Sequence, residues 1–137
     1  MDVRFADRED VDAVLDLWAW ARSAAASTPD DVESVVRLVE HTQDAVLVAE
    51  HEGRVVGVLL AAWDGWRGNM YRLAVLPAYR RRGIARRLVE AGHESLRAKG
   101  ARRVTALVAH EEVEATGLWR AAGYQLDEEL SRFVRNL

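Results

Sequence analysis

The eight residues Val55-Val56-Gly57-Val58-Leu59-Leu60-Ala61-Ala62 carry no charge and no polar side chain. The run is far too short for a membrane helix, which needs about 20 apolar residues, and it lacks the alternation of a strand with one wet face. It reads as a strand apolar on both sides, which is stable only inside a sheet covered by helices on each face. A second strand-like run, Ala45 to Glu50, precedes it across a Glu52-Gly53 turn, so the two form a β-hairpin. An α/β layered architecture follows.

Around this hairpin the pattern alternates between strand and helix periods. A short strand spans Val3 to Ala6. Asp7 and Asp10, three residues apart, form a capping-box-like start, and Val11, Val14, Leu15, Trp18 and Ala21 follow at helical spacing. A second helix is expected with Thr28 as N-cap and Pro29 at its first position, burying Val32, Val35, Val36 and Val39. After a Gly65 to Gly68 loop, a strand from Asn69 to Leu76 ends at Pro77. A long helix then buries Ile84, Ala85, Leu88, Val89, Ala91, Gly92 and Leu96 and stops at Gly100. The remainder reads as a strand Arg103 to Ala109, a helix Glu112 to Ala122, and short strands Tyr124 to Asp127 and Arg132 to Val134. The expectation is one domain over residues 1–137, with a mixed, mostly antiparallel central sheet of six to seven strands flanked by about four helices.

Composition narrows the function classes. Half of the 137 residues are apolar and 30% are charged, enough for a real core. The absence of cysteine excludes disulfides and thiolate metal sites. His41, His51 and His93 follow no metal-ligand spacing and read as surface, so no metal is expected. A net charge of -3 is not that of a general nucleic-acid binder. Met1 to Phe5 lacks the apolar stretch of a signal peptide. A cytoplasmic protein without membrane or nucleic-acid partners is expected.

The segment Leu73 to Arg87 breaks the usual rules. Arg80, Arg81, Arg82, Arg86 and Arg87 crowd the start of a helix, where the macrodipole already places partial positive charge, and no acid lies among them. Gly83 and Ala85 are small residues at the turn where free backbone N–H groups emerge. Cations and exposed N–H groups together make an anion pocket, suited to phosphate. The alternatives are a solvated basic helix face or a local nucleic-acid contact by Arg80 to Arg87. Neither the Walker A nor the Rossmann glycine pattern is present.

Leu73-Ala74-Val75-Leu76-Pro77, followed by Arg80-Arg81-Arg82-Gly83-Ile84-Ala85, resembles the acetyl-coenzyme A signature of the GNAT N-acetyltransferases, Arg/Gln-x-x-Gly-x-Gly/Ala after a strand. The resemblance implies that the Arg81 to Arg86 turn, with Arg82, Gly83, Ile84 and Ala85, holds the coenzyme A pyrophosphate. It also implies that Leu73, Ala74 and Val75 offer a splayed strand edge to the pantetheine arm and a backbone donor to the acetyl carbonyl. Family members commonly carry Asn-x-x-Ala-x-x-Leu-Tyr and then Gly-Phe. Here the stretch from Glu112 to Trp119, then Gly123-Tyr124, matches at Ala115, Leu118 and Gly123. Glu112 stands where the asparagine often binds the cofactor, and Trp119 replaces the tyrosine that often protonates the thiolate. An indole N–H donates a hydrogen bond but is too weak an acid to supply a proton.

Direct transfer to an amine needs a base. Leu107 lies where some relatives carry a glutamate, and the nearby titratable groups are His110, Glu111, Glu112 and Asp64. His110, titrating near neutrality, is the preferred base. Glu112 and Trp119 complete the candidate catalytic set, while Glu111 and Glu112 also suit a helix N-terminus as plain dipole partners. Trp20, off the buried stripe of its helix, and Trp63, Asp64 and Trp66 in a loop are acceptor-pocket candidates, with Asn69 and Tyr71 on one strand face; Trp18 fits the core. An aromatic pocket beside a carboxylate suits a small cationic amine. The reading is an acetyl-coenzyme A dependent N-acetyltransferase acting on a small amine or peptide amine, as monomer or homodimer. The alternative is a non-catalytic acyl-coenzyme A sensor on the same fold.

Overall fold

The hairpin forms where the apolar run demands it. In the computed structural model, which describes residues 1–21, 30–42, 44–108 and 113–137, β2 (Val46–His51) and β3 (Arg54–Trp63) pair antiparallel. Glu52 and Gly53 between them both have positive φ, the conformation of a tight hairpin turn. β3 is the third of five strands, in the order β1 (Asp2–Phe5), β2, β3, β4 (Gly68–Val75) and β5 (Val104–Ala106). The first four are antiparallel neighbours and β5 runs parallel to β4.

Both faces of β3 are covered. On one, α1 (Val11–Ala21) and α2 (Val32–His41) bury Val14, Leu17, Trp18 and Val35 against Val46, Val48, Val58 and Leu60. On the other, α3 (Ile84–Lys99) buries Ile84, Leu88, Val89 and Leu96 against Leu47, Ala49, Leu59, Ala61 and Met70, joined by Trp119 from α4 (Val113–Ala121). Gly92 permits the close approach of α3, since a Cβ there would stand 2.6 Å from Met70 Cε. Gly100, at φ 109, closes α3 as its C-terminal cap. No helix among the described residues is long and apolar enough to cross a membrane.

Asp7 and Asp10 form the capping box, heading a single 3-10 turn that leads into α1. Asp10 is buried and takes both guanidinium nitrogens of Arg4, at 2.7 and 2.9 Å. That hydrogen-bonded cation, ahead of the N–H of Asp7, holds the carboxyl below its usual range against the opposing effect of burial.

Three elements differ from expectation. α2 begins at Val32 with Asp31 as N-cap, whose carboxylate accepts from Ser34 N at 2.8 Å; Thr28 and Pro29 lie outside the described residues. Val32, at the first position, is consequently exposed. The sheet has five strands among the described residues rather than six to seven, because Tyr124 to Asp127 and Arg132 to Val134 form none. A strand exists only as one side of a ladder, and nothing described pairs with this stretch, which leaves Leu126, Leu130, Phe133 and Val134 exposed.

Candidate functional site

The site is built from a fault in β4. Val58 pairs with Ala74 and Leu60 with Tyr71, so Arg72 and Leu73 together oppose Leu59. This is a β-bulge, and Arg72 carries its strain at φ 58, a conformation a side-chain-bearing residue rarely adopts. Pairing with β5 covers only Gly68, Asn69 and Met70, and Leu107 N then bonds Met70 O at 3.0 Å. Beyond that point no pairing joins the described parts of the two strands. Leu76 N donates to Val56 O, so by strand alternation the backbone groups of Leu73 and Val75 face away from β3, toward the gap. Arg80 Nε reaches the Val75 carbonyl at 3.1 Å.

The gap runs to the start of α3. Gly83 is the N-cap in left-handed conformation at φ 78, with no side-chain cap and no acid in the first turn. A Cβ built at Gly83 meets nothing within 4 Å, so an anion has room to reach the backbone. Arg87 N is the first to return, to Gly83 O at 3.1 Å, which leaves the N–H groups of Ile84, Ala85 and Arg86 at the open helix end. Arg82 lies over the Tyr79 ring at 5.3 Å and Arg86 pairs with Glu90 at 3.3 Å, while Arg81 also has positive φ, at 62. The cofactor residues read from the sequence, Leu73 to Val75 and Arg81 to Arg86, thus fall on one strand edge and the helix start that follows it. A strand-like arm ending in a phosphate fits this arrangement.

The other candidates are more scattered. His110 and Glu112 lie outside the described residues. Trp119 is 5% exposed and packs edge-on against Tyr124 at 4.9 Å. Asp64 closes its own loop, accepting from Trp66 N at 2.8 Å and Arg67 N at 2.6 Å, and these bonds hold its carboxyl below the usual range. Trp63 packs on the α3-side core, whereas Trp20 and Trp66 are 69% and 74% exposed. Tyr71 packs on the α1-side core, where burial raises its hydroxyl pKa, and Asn69 is half-buried.

Two features escape the sequence. Trp18, placed in the core by its spacing, also donates from Nε1 to Arg72 O at 3.0 Å. His93, expected at the surface, is half-buried, with Nε2 2.6 Å from the Tyr124 hydroxyl and the two rings stacked. Burial, then Arg97, lowers the imidazole pKa, and burial pushes the Tyr124 hydroxyl up to about 12. The one available sign was positional: His93 adjoins Gly92 on the buried stripe of α3.

Comparison with known proteins agrees with this geometry. A family model described as "Acetyltransferase (GNAT) family" matches residues 11–124. Acetyltransferase ECA0875 of Pectobacterium atrosepticum is 32% identical over 126 residues, covering 91% of this chain and 88% of that protein. Among solved structures, ribosomal-protein-alanine N-acetyltransferase of Brucella melitensis superposes with a TM-score of 0.76 at 25% identity, covering 90% of this chain and 83% of that one. Rv2747 of Mycobacterium tuberculosis, solved with CoA and NLQ, gives 0.78 at 24% identity, covering 93% and 74%, a likeness of fold.

Proposed function

The chain belongs to the acetyltransferase (GNAT) family, and on that premise we propose that it is an N-acetyltransferase taking its acetyl group from acetyl-coenzyme A and passing it to the amine of a small molecule or peptide. The observation that carries this reading is the β4 edge that no described residue pairs with beyond Met70, running from the Arg72 bulge to the start of α3, which has no side-chain cap. The names of the relatives support the donor and the acceptor class, one solved with CoA and another named for acetylating an alanine amine.

When bound, acetyl-coenzyme A supplies an activated acyl group and a thiolate leaving group. The gap-facing backbone groups of Leu73 and the Val75 N–H would hold the pantetheine arm as an added strand, the Val75 carbonyl being taken by Arg80, and the Arg81 to Arg86 turn, through Gly83, Ile84 and Ala85, would hold the pyrophosphate. The Leu73 N–H would donate a hydrogen bond to the thioester oxygen as negative charge develops on it, a contribution that preorganised backbone donors make well. His110 takes the ammonium proton of the acceptor. Trp119 Nε1–H would hydrogen-bond the departing sulfur while solvent supplies the proton. Trp20 and Trp66, both exposed, with Asp64 and the half-buried Asn69, border the acceptor side, whereas Trp63 and Tyr71 pack on opposite faces of the sheet.

Calorimetric titration with acetyl-coenzyme A, beside ATP and a short DNA duplex, tests the donor site. Micromolar binding of the thioester alone is expected, and no binding overturns the reading. Thiol release against a panel of amines then tests turnover; binding without turnover on any amine would favour an acyl-coenzyme A sensor. In an active pair, His110→Ala should flatten the acidic limb of the kcat/KM profile, and an unchanged limb would remove His110 as base.

A further inference from the structure

The peptide unit joining Arg72 to Leu73 is held from the α1 side. Trp18 Nε1 donates to the Arg72 carbonyl at 3.0 Å, the Arg72 guanidinium lies over the Trp18 ring at 5.2 Å, and its NH1 meets Asp30 Oδ2 at 2.7 Å. The ion pair is well sheltered, with side-chain exposures of 20% and 13%. In a trans peptide the N–H points opposite to the C=O. Fixing the carbonyl on Trp18 therefore aims the Leu73 N–H away from α1, and the strand register already turns Leu73 from β3.

We infer that Trp18 is a positioning residue for the transfer step, acting through the Arg72–Leu73 peptide to aim and polarise the Leu73 N–H; the inference rests on the acetyltransferase reading above. Trp18 is buried, so it acts through the peptide rather than on the substrate. A left-handed, non-glycine residue persists only where its surroundings over-determine it. Here the indole bond, the stacked guanidinium and the Asp30 ion pair all converge on Arg72. A donor on the carbonyl also strengthens the N–H of the same amide, because hydrogen bonds in a chain polarise one another. The core aromatic read from the sequence thus has a second task, which its apolar spacing does not reveal.

The test replaces the N–H and keeps the ring. In nitrogen-15-labelled protein without ligand, Trp18→Phe should move the Leu73 amide proton upfield, since its carbonyl loses a donor. In isotope-edited infrared spectra with acetyl-coenzyme A labelled at the carbonyl carbon, wild-type protein should lower the thioester stretch. Trp18→Phe should reverse roughly 10–30% of that shift, while affinity for acetyl-free coenzyme A stays within about twofold. Val14→Ala, which empties volume in the same helix, should lower Tm and leave both signals alone; if it moves them equally, the effect is packing and the inference falls. Should Trp18→Phe fail to fold, Asp30→Asn loosens the Arg72 side chain and should shift both signals in the same direction by less, an absence of shift again counting against the inference. A bound thioester whose lowered stretch ignores Trp18→Phe overturns this inference alone. No binding of acetyl-coenzyme A to the wild type overturns the functional reading and this inference together.

Discussion

α2 and α3 begin in opposite ways. α2 is sealed by its own chain: Asp31 accepts from Ser34 N, its other oxygen takes the Ser34 hydroxyl at 3.1 Å, and Glu33 sits in the first turn. α3 begins on a left-handed glycine with no side-chain cap, no first-turn acid, and Arg86 and Arg87 where acids belong. The first start satisfies its N–H groups internally and the second leaves them to something external. The difference separates a helix end that serves stability from one that, on the proposed function, serves an anion.

Substitutions at the two starts should therefore have effects that do not cross over. Gly83→Glu, which fills the open turn with a like charge to phosphate, should weaken acetyl-coenzyme A binding by at least about 100-fold in calorimetry, with the far-UV circular dichroism retained. Undiminished binding would erase the contrast. Inorganic pyrophosphate at about 100 times its Kd should raise Tm by roughly 10 °C in wild-type protein and leave Gly83→Glu unmoved. Asp31→Ala should lower Tm by a few degrees while the Kd for acetyl-coenzyme A stays unchanged; a matching loss of affinity would mean that the two ends are coupled.

The smallest effect sharpens the contrast through pH. Asp10, at the capped entry to α1, has a folded-state pKa below the ordinary 3.8 because of its hydrogen bonds to Arg4. A depressed carboxyl contributes stability that is fully present above the unfolded value and is lost as pH falls through the folded one. Thermal unfolding followed from pH 5 downward should show a shallower acid loss in Asp10→Asn than in wild type. Asp31, lowered by the Ser34 N–H, titrates in the same direction, and the start of α3 offers no carboxyl to titrate. Parallel curves for wild type and Asp10→Asn would remove this ion pair from the acid limb.

Much of the frame was legible because it is written locally. Val55 to Ala62 states its own double burial, Gly100 its own cap, and Arg80 to Ala85 a helix start with basic residues and no acid. What stayed hidden depends on register between distant segments. The bulge at Arg72 appears only when β4 is laid against β3, and the Trp18 bond to it spans 54 positions. His93 looks like a solvent residue until α4 delivers Tyr124 beside it. Leu126, Phe133 and Val134 suit a strand by propensity, yet propensity supplies no partner, and none of the three is in one. The start of α2 was misplaced because Thr28-Pro29 and Asp31 are both good openings, and Asp31 makes the bond to Ser34.

The strands lie across the sheet in the order in which they are synthesised, β1 through β5. Each can settle on the one before it as it leaves the ribosome, and none waits for a later partner. The wedge between β4 and β5 is the last of this sheet to be enclosed, since it needs residues 104–106. Until then the growing chain displays β4 as a bare edge, the kind of surface through which nascent proteins associate wrongly. Arg80, laid across the Val75 carbonyl in the folded protein, puts on that edge the kind of charged side chain that discourages such pairing, at the spot proposed for the ligand.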